Sequence, residues 1–404
     1  MREWFRGILS HERQTVPTGE GRAPEPAPTH VFHLFGVRDF HNWRDGTGQI
    51  ILKHMFIVGI GTATPPRRYS QKECWTTLKA SPRFREFPHR SQAILKKVLT
   101  GDNGIETRYL ALEDLNQAFE ITPDVLHARF REHAPRLAAA AAERALAAAR
   151  VRPEEIDAIL ISTCTGYLCP GLTSYVSERL GLRPDVLGLD LVGQGCGAAI
   201  PNLLTAESLV AAGRGQVLSI CVEVCSAAFY LDDDAGVLIS ACLFGDGAGA
   251  AVLSAKANGG RRVEWKGGGS RLKPDARDTL RFEQKNGLLR NILTPEVPAL
   301  AAEQAGMLLD ETLLRNRVAR SEINGWILHP GGRDVLLALR ERIRLSGADV
   351  RWSETVLREH GNMSSPSVLF VLEAALAERA PGGWWWMSAF GAGFSCHGAL
   401  LAVE

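Results

Sequence analysis

Three residues of this 404-residue chain are of types that do covalent chemistry together: Cys196 in "GQGCGAAIPNLLTAE", His329 in "WILHPGG" and Asn362 in "GNMSSPSVLFVLE". Cys196 lies where an apolar, strand-like run meets an amphipathic helical pattern. A helix N-terminus stabilises a thiolate through its free N–H groups and dipole, and a neighbouring imidazolium adds a full positive charge. On that reading the thiol pKa falls well below its free value and Cys196 is a resting nucleophile. Each residue alone also has a plainer reading: a buried small thiol, a satisfied core histidine, a helix cap.

An internal repeat sets the three apart from those plainer readings. Gly166, ending "ILISTCTG", and Gly332, ending "WILHPGG", are 166 residues apart, and so are Cys196 and Asn362. Glu207 and Glu373 each follow eleven positions later, and "FGDGAGAAVL" (244–253) matches "FGAGFSCHGALL" (390–401) at a shorter spacing. A duplicated unit predicts two halves related by a pseudo-twofold axis, with equivalent helix N-termini meeting at the centre. Cys196 and Asn362 then face each other, and His329 joins them from the loop after "GWIL".

The elements that must position these residues alternate in type. Strands are expected at "DAILIST", "VLGLDLV", "QVLSICVEV" and "GAGAAVLSA", and helices from about 172 and after Cys196, which is an α/β pattern. The run "LAAAAAERALAAA" (137–149) predicts a helix packed closely in the interior, and "WWWMSAF" (384–390) a strand placing tryptophans alternately in core and on the surface. Residues 1–54, with "PTGEGRAPEPAPTH", lack an apolar period and read as a poorly ordered extension. From "MFIVGIGTATPP" the text is that of a compact domain. Met55 as the natural first residue and a genuine extension before it both fit. The expected division is 1–54, an N-terminal half 55–256 carrying the cysteine, and a C-terminal half 257–404 carrying His and Asn.

Composition excludes several classes. Lys+Arg number 46 against 45 Asp+Glu, so there is no field to attract nucleic acid or an anionic membrane surface. No apolar run has the length of a membrane span or signal peptide, from which a cytoplasmic location is expected. The eight cysteines form no CxxC pair and are expected as thiols. Cys221 and Cys225 have no paired histidine nearby, so no metal is expected.

With "GQGC", "HPGG", "GNMSSPSVLFVLE", "LFGDGA" and "FGAG" in place, the chain from about Met55 onward resembles the type III polyketide synthases, the chalcone synthase-like branch of the thiolase superfamily. The resemblance implies a thiolase-like duplicated βαβαβ core in five αβαβα layers, and a homodimeric acyltransferase. Cys196 matches the nucleophile that takes an acyl group from a starter acyl-CoA. His329 and Asn362 match the pair that hydrogen-bonds the thioester carbonyl of malonyl-CoA as carbon dioxide leaves. The chain grows by decarboxylative Claisen condensation and cyclises to a pyrone or resorcinol-type product, with no cofactor besides the CoA substrates. The alternatives are a class III β-ketoacyl-carrier-protein synthase making a single condensation, and a non-catalytic subunit of the same fold. A histidine in "HPGG" rather than an "HQAN"-type string favours the polyketide branch.

The same resemblance assigns further positions. Phe229 matches an aromatic gate to the CoA tunnel. Thr165, Glu223 and Ser364 match a hydrogen-bonded network beside the cysteine. Cys169 matches a residue reaching into the partner subunit's cavity, and Gly391 and Gly393 belong to a glycine-rich loop that shapes the cavity. Where plant enzymes carry a second gating aromatic this chain has Arg290 and Asn291, which leaves room for a long or aliphatic acyl chain. The plant lysine pattern is not reproduced; by charge alone Arg90, Lys96 and Lys97 of "HRSQAILKKVL" are candidates for the phosphates of CoA, and a solvated helix face is the plainer reading.

Overall fold

The computed structural model describes residues 54–404, so the expected disorder of the extension falls outside the described residues except at His54. His54 is exposed and pairs with Glu264.

The strands are β1 (Met55–Ala63), β2 (Arg68–Ser70), β3 (Thr107–Tyr109), β4 (Ala158–Ser162), β5 (Leu187–Leu191), β6 (Gln216–Glu223), β7 (Gly247–Ser254), β8 (Val263–Leu272), β9 (Leu280–Lys285), β10 (Leu288–Leu293), β11 (Ile323–Leu328), β12 (Gly383–Gly391) and β13 (Ser395–Val403). The helices are α1 (Gln71–Ala80), α2 (Pro82–Glu86), α3 (His89–Thr100), α4 (Pro123–Ala149), α5 (Leu172–Leu180), α6 (Ala199–Ala211), α7 (Ala235–Leu243), α8 (Val297–Asn316), α9 (Arg333–Ile343), α10 (Gly347–His360) and α11 (Ser367–Ala377). Among the described residues no helix is long and apolar enough to cross a membrane.

Nine strands form one sheet in the order β11-β12-β13-β8-β1-β7-β6-β4-β5. The halves meet where β1 and β8 pair, Met55 opposite Trp265 and Phe56 opposite Glu264. Outward from that seam, β1-β7-β6-β4 and β8-β13-β12-β11 pair in the same sequence: antiparallel, antiparallel, parallel. The expected pseudo-twofold is therefore present in the pairing pattern, with β5 an extra edge strand of the first half.

Alternation along the strands builds the layers. On β4, Ala158 and Leu160 face a cluster containing Ile200, Leu203 and Ala206 of α6 with Leu369 and Leu372 of α11. Ile159 and Ile161 face the opposite cluster, with α4 and α5. On β12, Trp385 and Met387 face the central cluster, while Trp386 and Phe390 face one with α8 and α9. The result is α, half-sheet, central helices, half-sheet, α. Burial on both faces also corrects the expectation for the tryptophans. Trp385 and Trp386 are both fully buried, because β12 is an interior strand covered on each side.

The alanine-rich helix extends further back than expected, to Pro123 at its first position, capped by Thr122. Its alanines let the backbone lie against β1. A methyl at Gly61 would stand 2.5 Å from the Ala145 nitrogen and 2.6 Å from the Ala141 oxygen, so both partners must be small.

Candidate active site

Cys196 occupies a single 3-10 turn, Gly195–Gly197, that feeds into α6, and it is 8% exposed. The turn is held from beneath by the end of β12. A methyl at Gly391 would meet the Gln194 carbonyl oxygen, the Gly197 nitrogen at 2.6 Å and the Cys196 nitrogen at 3.2 Å. Only glycine permits this approach. The residue before it, Phe390, sets its ring edge-on to His329 with centroids 5.1 Å apart. One strand end thus supports both the thiol and the imidazole.

His329 follows β11, is 1% exposed, and has no hydrogen-bond partner at Nδ1 or Nε2. Its backbone nitrogen donates to the Ser388 oxygen at 2.9 Å, which fixes the loop while leaving both ring nitrogens free. Asn362 is 3% exposed. Its Nδ2 donates to the Gly331 oxygen at 3.1 Å, and its Oδ1 accepts from the Ser364 nitrogen at 2.8 Å. Ser364 Oγ in turn donates to Cys196 Sγ at 3.3 Å. Cys196, Asn362 and the His329 loop therefore belong to one connected cluster, as the repeat implied. Asn362 is not at a helix N-terminus, however. It lies in a loop bridged to Phe244, five residues before α11 begins.

Glu223, at the end of β6, is fully buried and gathers the remaining polar groups. It accepts from Thr165 Oγ1 at 2.9 Å, Ser365 Oγ at 2.6 Å, Thr163 Oγ1 at 3.2 Å and the Cys164 nitrogen at 3.0 Å. Ser364 Oγ stands 3.5 Å from the same carboxylate, so the predicted trio Thr165, Glu223 and Ser364 is assembled. Burial raises the Glu223 pKa above the ordinary carboxylate range, against the pull of its hydrogen bonds.

The charge state expected for the cysteine is corrected. Burial pushes the Cys196 thiol up to about 12, with the Ser364 hydrogen bond opposing and the Glu223 carboxylate adding to the rise. Burial lowers His329 to about 3, so the imidazole is neutral at pH 7. Desolvation thus disfavours both charged forms of a thiolate–imidazolium pair and outweighs the turn's N–H groups.

Two cavities lie against neighbours of this cluster, although Cys196, His329 and Asn362 themselves line neither. The larger, about 550 Å³, is lined by Cys164, Thr165, Gly195 and Ala392, by Leu126, Phe130, Tyr167, Val192, Leu288 and Leu289, and by the polar His127, Arg281 and Gln284 among others. The smaller, about 20 Å³, is lined by Thr165, Cys225, Phe229, Ser240, Phe244, Phe282, Asn291 and Ser364 among others. The hairpin β9–β10 roofs both, with Phe282 directly opposite Asn291.

The remaining assigned residues divide. Phe229 lines the small cavity but packs with Leu110 and Leu112. The aromatic packed on Cys196 is Phe244, which sequence reasoning missed. The signal was available, because Phe244 and Phe390 begin the two matching "FG" strings, and they lie on Cys196 and His329 respectively. Cys225, packed on Cys196, was missed as well. In the glycine loop Ala392 lines the cavity, whereas Gly391 supports the Cys196 turn and Gly393 adopts φ 121° beside Leu272, out of the site. Cys169 is exposed on the loop between β4 and α5 and lines neither cavity. Asn291 faces the small cavity. Its neighbour Arg290 points the other way, to Asp232 at 2.8 Å and Glu283 at 2.7 Å. Arg90, Lys96 and Lys97 lie exposed on α3 and line neither cavity.

Comparison with known proteins agrees with this geometry. Residues 62–267 match the family described as FAE1/type III polyketide synthase-like protein, and residues 272–402 the chalcone and stilbene synthases, C-terminal domain. The chain is 30% identical over 355 residues to a 3,5-dihydroxyphenylacetyl-CoA synthase of Amycolatopsis orientalis, covering 85% of this chain and 92% of the relative. It is 29% identical over 365 residues to the alpha-pyrone synthesis polyketide synthase-like Pks18 of Mycobacterium tuberculosis, covering 86% and 91%. Among solved structures, PKS-I from the brown alga Ectocarpus siliculosus superposes with a TM-score of 0.80 at 27% identity, covering 87% of this chain and 98% of that one. With a buried cysteine, histidine and asparagine gathered by a duplicated core, and with family matches along nearly the whole described chain, this protein belongs to the type III polyketide synthases, which are acyltransferases.

Proposed function

We propose that the protein loads a starter acyl group from acyl-CoA onto Cys196 and extends it with malonyl-CoA by decarboxylative condensation, then releases a cyclised pyrone or resorcinol-type product. The observation that carries this reading is His329: a buried imidazole with both nitrogens unpartnered, in one cluster with Cys196 and Asn362. Buried polar atoms without partners are costly unless a ligand supplies them. A thioester carbonyl oxygen accepts from whichever ring nitrogen carries the proton.

The chain's residues then divide the work. Because the thiol rests protonated, its proton leaves as the sulfur attacks the starter thioester; neutral His329 is able to accept it and to pass it to the CoA thiolate, which departs as the acyl–CoA C–S bond breaks. In the condensation, carbon dioxide departs from malonyl-CoA and negative charge develops on the thioester oxygen. His329 and the second N–H of Asn362 are donors preorganised for that oxygen, where such donors matter most. The new carbon–carbon bond forms at the acyl carbonyl, the bond to Cys196 Sγ breaks, and the thiolate takes back a proton. The 550 Å³ cavity is lined mostly by apolar residues and suits the acyl chain. No cofactor is needed for these steps.

A homodimer fits the surface. Tyr167 (70% exposed) and Val192 (62%) stand at the cavity rim, and Leu272 (68%) beside Gly393. Cys169 lies two residues from Tyr167 and is the residue that would reach the partner. A cytoplasmic location suits the CoA substrates. The test is to incubate the protein with labelled malonyl-CoA and acyl-CoA starters from acetyl to stearoyl, with Cys196→Ala as control. Cyclised products that vanish in the variant support the reading, and single-condensation products alone overturn it.

A further inference from the structure

We propose that the small cavity beside Cys196 is an oxygen-reading subsite, in which Ser240 and Asn291 hold an enol or hydroxyl oxygen of the acyl chain that Cys196 carries. This rests on the reading that Cys196 is acylated. Cys196 is one residue removed from the cavity wall: Phe244 packs on Cys196 and Ser364 donates to it, and both line the cavity.

Most of the wall is apolar, Tyr230 is partly exposed, and the hydroxyls of Thr165 and Ser364 are engaged with Glu223 and Cys196. Two polar atoms are different. Ser240 Oγ on α7 and Asn291 Oδ1 on β10 are buried without hydrogen-bond partners, and Ser240 is only 4% exposed. They come from unrelated elements and meet at one cavity. Its volume of about 20 Å³ suits on the order of one water-sized group.

The two atoms specify that group. An amide oxygen only accepts, whereas a serine hydroxyl donates or accepts. An occupant that satisfies both must offer an O–H to Asn291, and its own oxygen can then accept from Ser240. A hydroxyl or an enol does this, and an alkyl segment leaves both atoms unpaired. Each condensation places a ketone at C3 of the chain, and a β-ketone enolises readily. The subsite therefore favours an extended or oxygenated chain over a plain alkyl one of equal length, and it fixes where the first oxygen lies.

The test compares acetoacetyl-CoA with butyryl-CoA, which share four carbons and differ at C3, by following acylation of Cys196 with peptide-resolved mass spectrometry. Because the two thioesters differ in intrinsic reactivity, the readout is the change in their rate ratio. Ser240→Ala and Asn291→Leu are each expected to lower the acetoacetyl preference about tenfold, the usual size for one buried hydrogen bond. Asn291→Asp, which keeps an acceptor, retains more of the preference than Asn291→Leu. A ratio unchanged by Ser240→Ala and Asn291→Leu overturns the subsite and leaves the condensing function standing. Absence of any Cys196 adduct in the unsubstituted protein overturns both.

Discussion

Replacing Gly391 by alanine probes how tightly the Cys196 turn is held. The added methyl would stand 2.6 Å from the Gly197 nitrogen and 3.2 Å from the Cys196 nitrogen, with the Gln194 carbonyl closer still. Ordinary contact begins near 3.4 Å, so the turn must move by about 0.8 Å or more. The obstructing atoms are all backbone and no side-chain rotation relieves them. Overpacking of this kind costs about 1–3 kcal/mol of stability. A displacement near 1 Å at a reacting atom costs roughly 100-fold in rate. Gly391→Ala is therefore expected to lower kcat/KM for product formation about 100-fold while the chain still folds, seen as a modest fall in Tm. Gly347→Ala, where an added methyl meets nothing within 4 Å, is the control. Activity of Gly391→Ala within about threefold of the control, at unchanged Tm, would refute the view that β12 positions the thiol.

Further outcomes follow from the same geometry. Ser364→Ala removes the hydrogen bond that lowers the Cys196 pKa, so iodoacetamide alkylation of Cys196 at fixed pH should slow about 3–10-fold; a faster reaction would contradict the assignment. Across pH, Cys196 alkylation should still be rising at pH 10, because the thiol is pushed up to about 12, and a plateau near neutrality would show a resting thiolate. Stability should fall on acidification. Buried His397 is lowered to about 4 whereas an unfolded histidine takes a proton below about 6.5, so between these values the unfolded chain binds more protons and stability is lost as pH falls. Glu223 and Asp246, both raised, act with the opposite sign and partly offset this. His397→Asn, which can keep the bond to Ser270, should reduce the loss between pH 7 and pH 5 by about 2 kcal/mol in urea unfolding, and an unchanged pH dependence would show that His397 does not titrate there.

Much of this architecture was legible in the letters because duplication leaves the same apolar strings at matching places. The spacing shared by Cys196 and Asn362 anticipated both the mirrored strand pairing and the meeting of the two residues. Burial depth was not legible. A cysteine before a helix with a histidine in prospect suggested a thiolate, yet desolvation reverses that at 8% and 1% exposure. Phe244 was overlooked although its string was recognised as a repeat, because a phenylalanine in an apolar context gives no sign of which side chain it touches. The alternation expected for the tryptophans was correct, and its consequence was wrong, since strand period says nothing about whether the second face is covered. Arg290 and Asn291 were read as one feature, whereas their adjacency on a strand sends one to an ion-pair cluster and the other into the cavity.

Single-turnover reaction of Asn362→Ala bears most directly on the division of labour among Cys196, His329 and Asn362. The variant is mixed with acyl-CoA and then with carboxyl-labelled malonyl-CoA, and both the acylated peptide and released carbon dioxide are measured. The expected result is stoichiometric acylation of Cys196 with carbon dioxide release slowed about 100-fold or more, the usual loss for one oxyanion donor. Acylation at another residue, or decarboxylation at the unsubstituted rate, would contradict the roles assigned to all three.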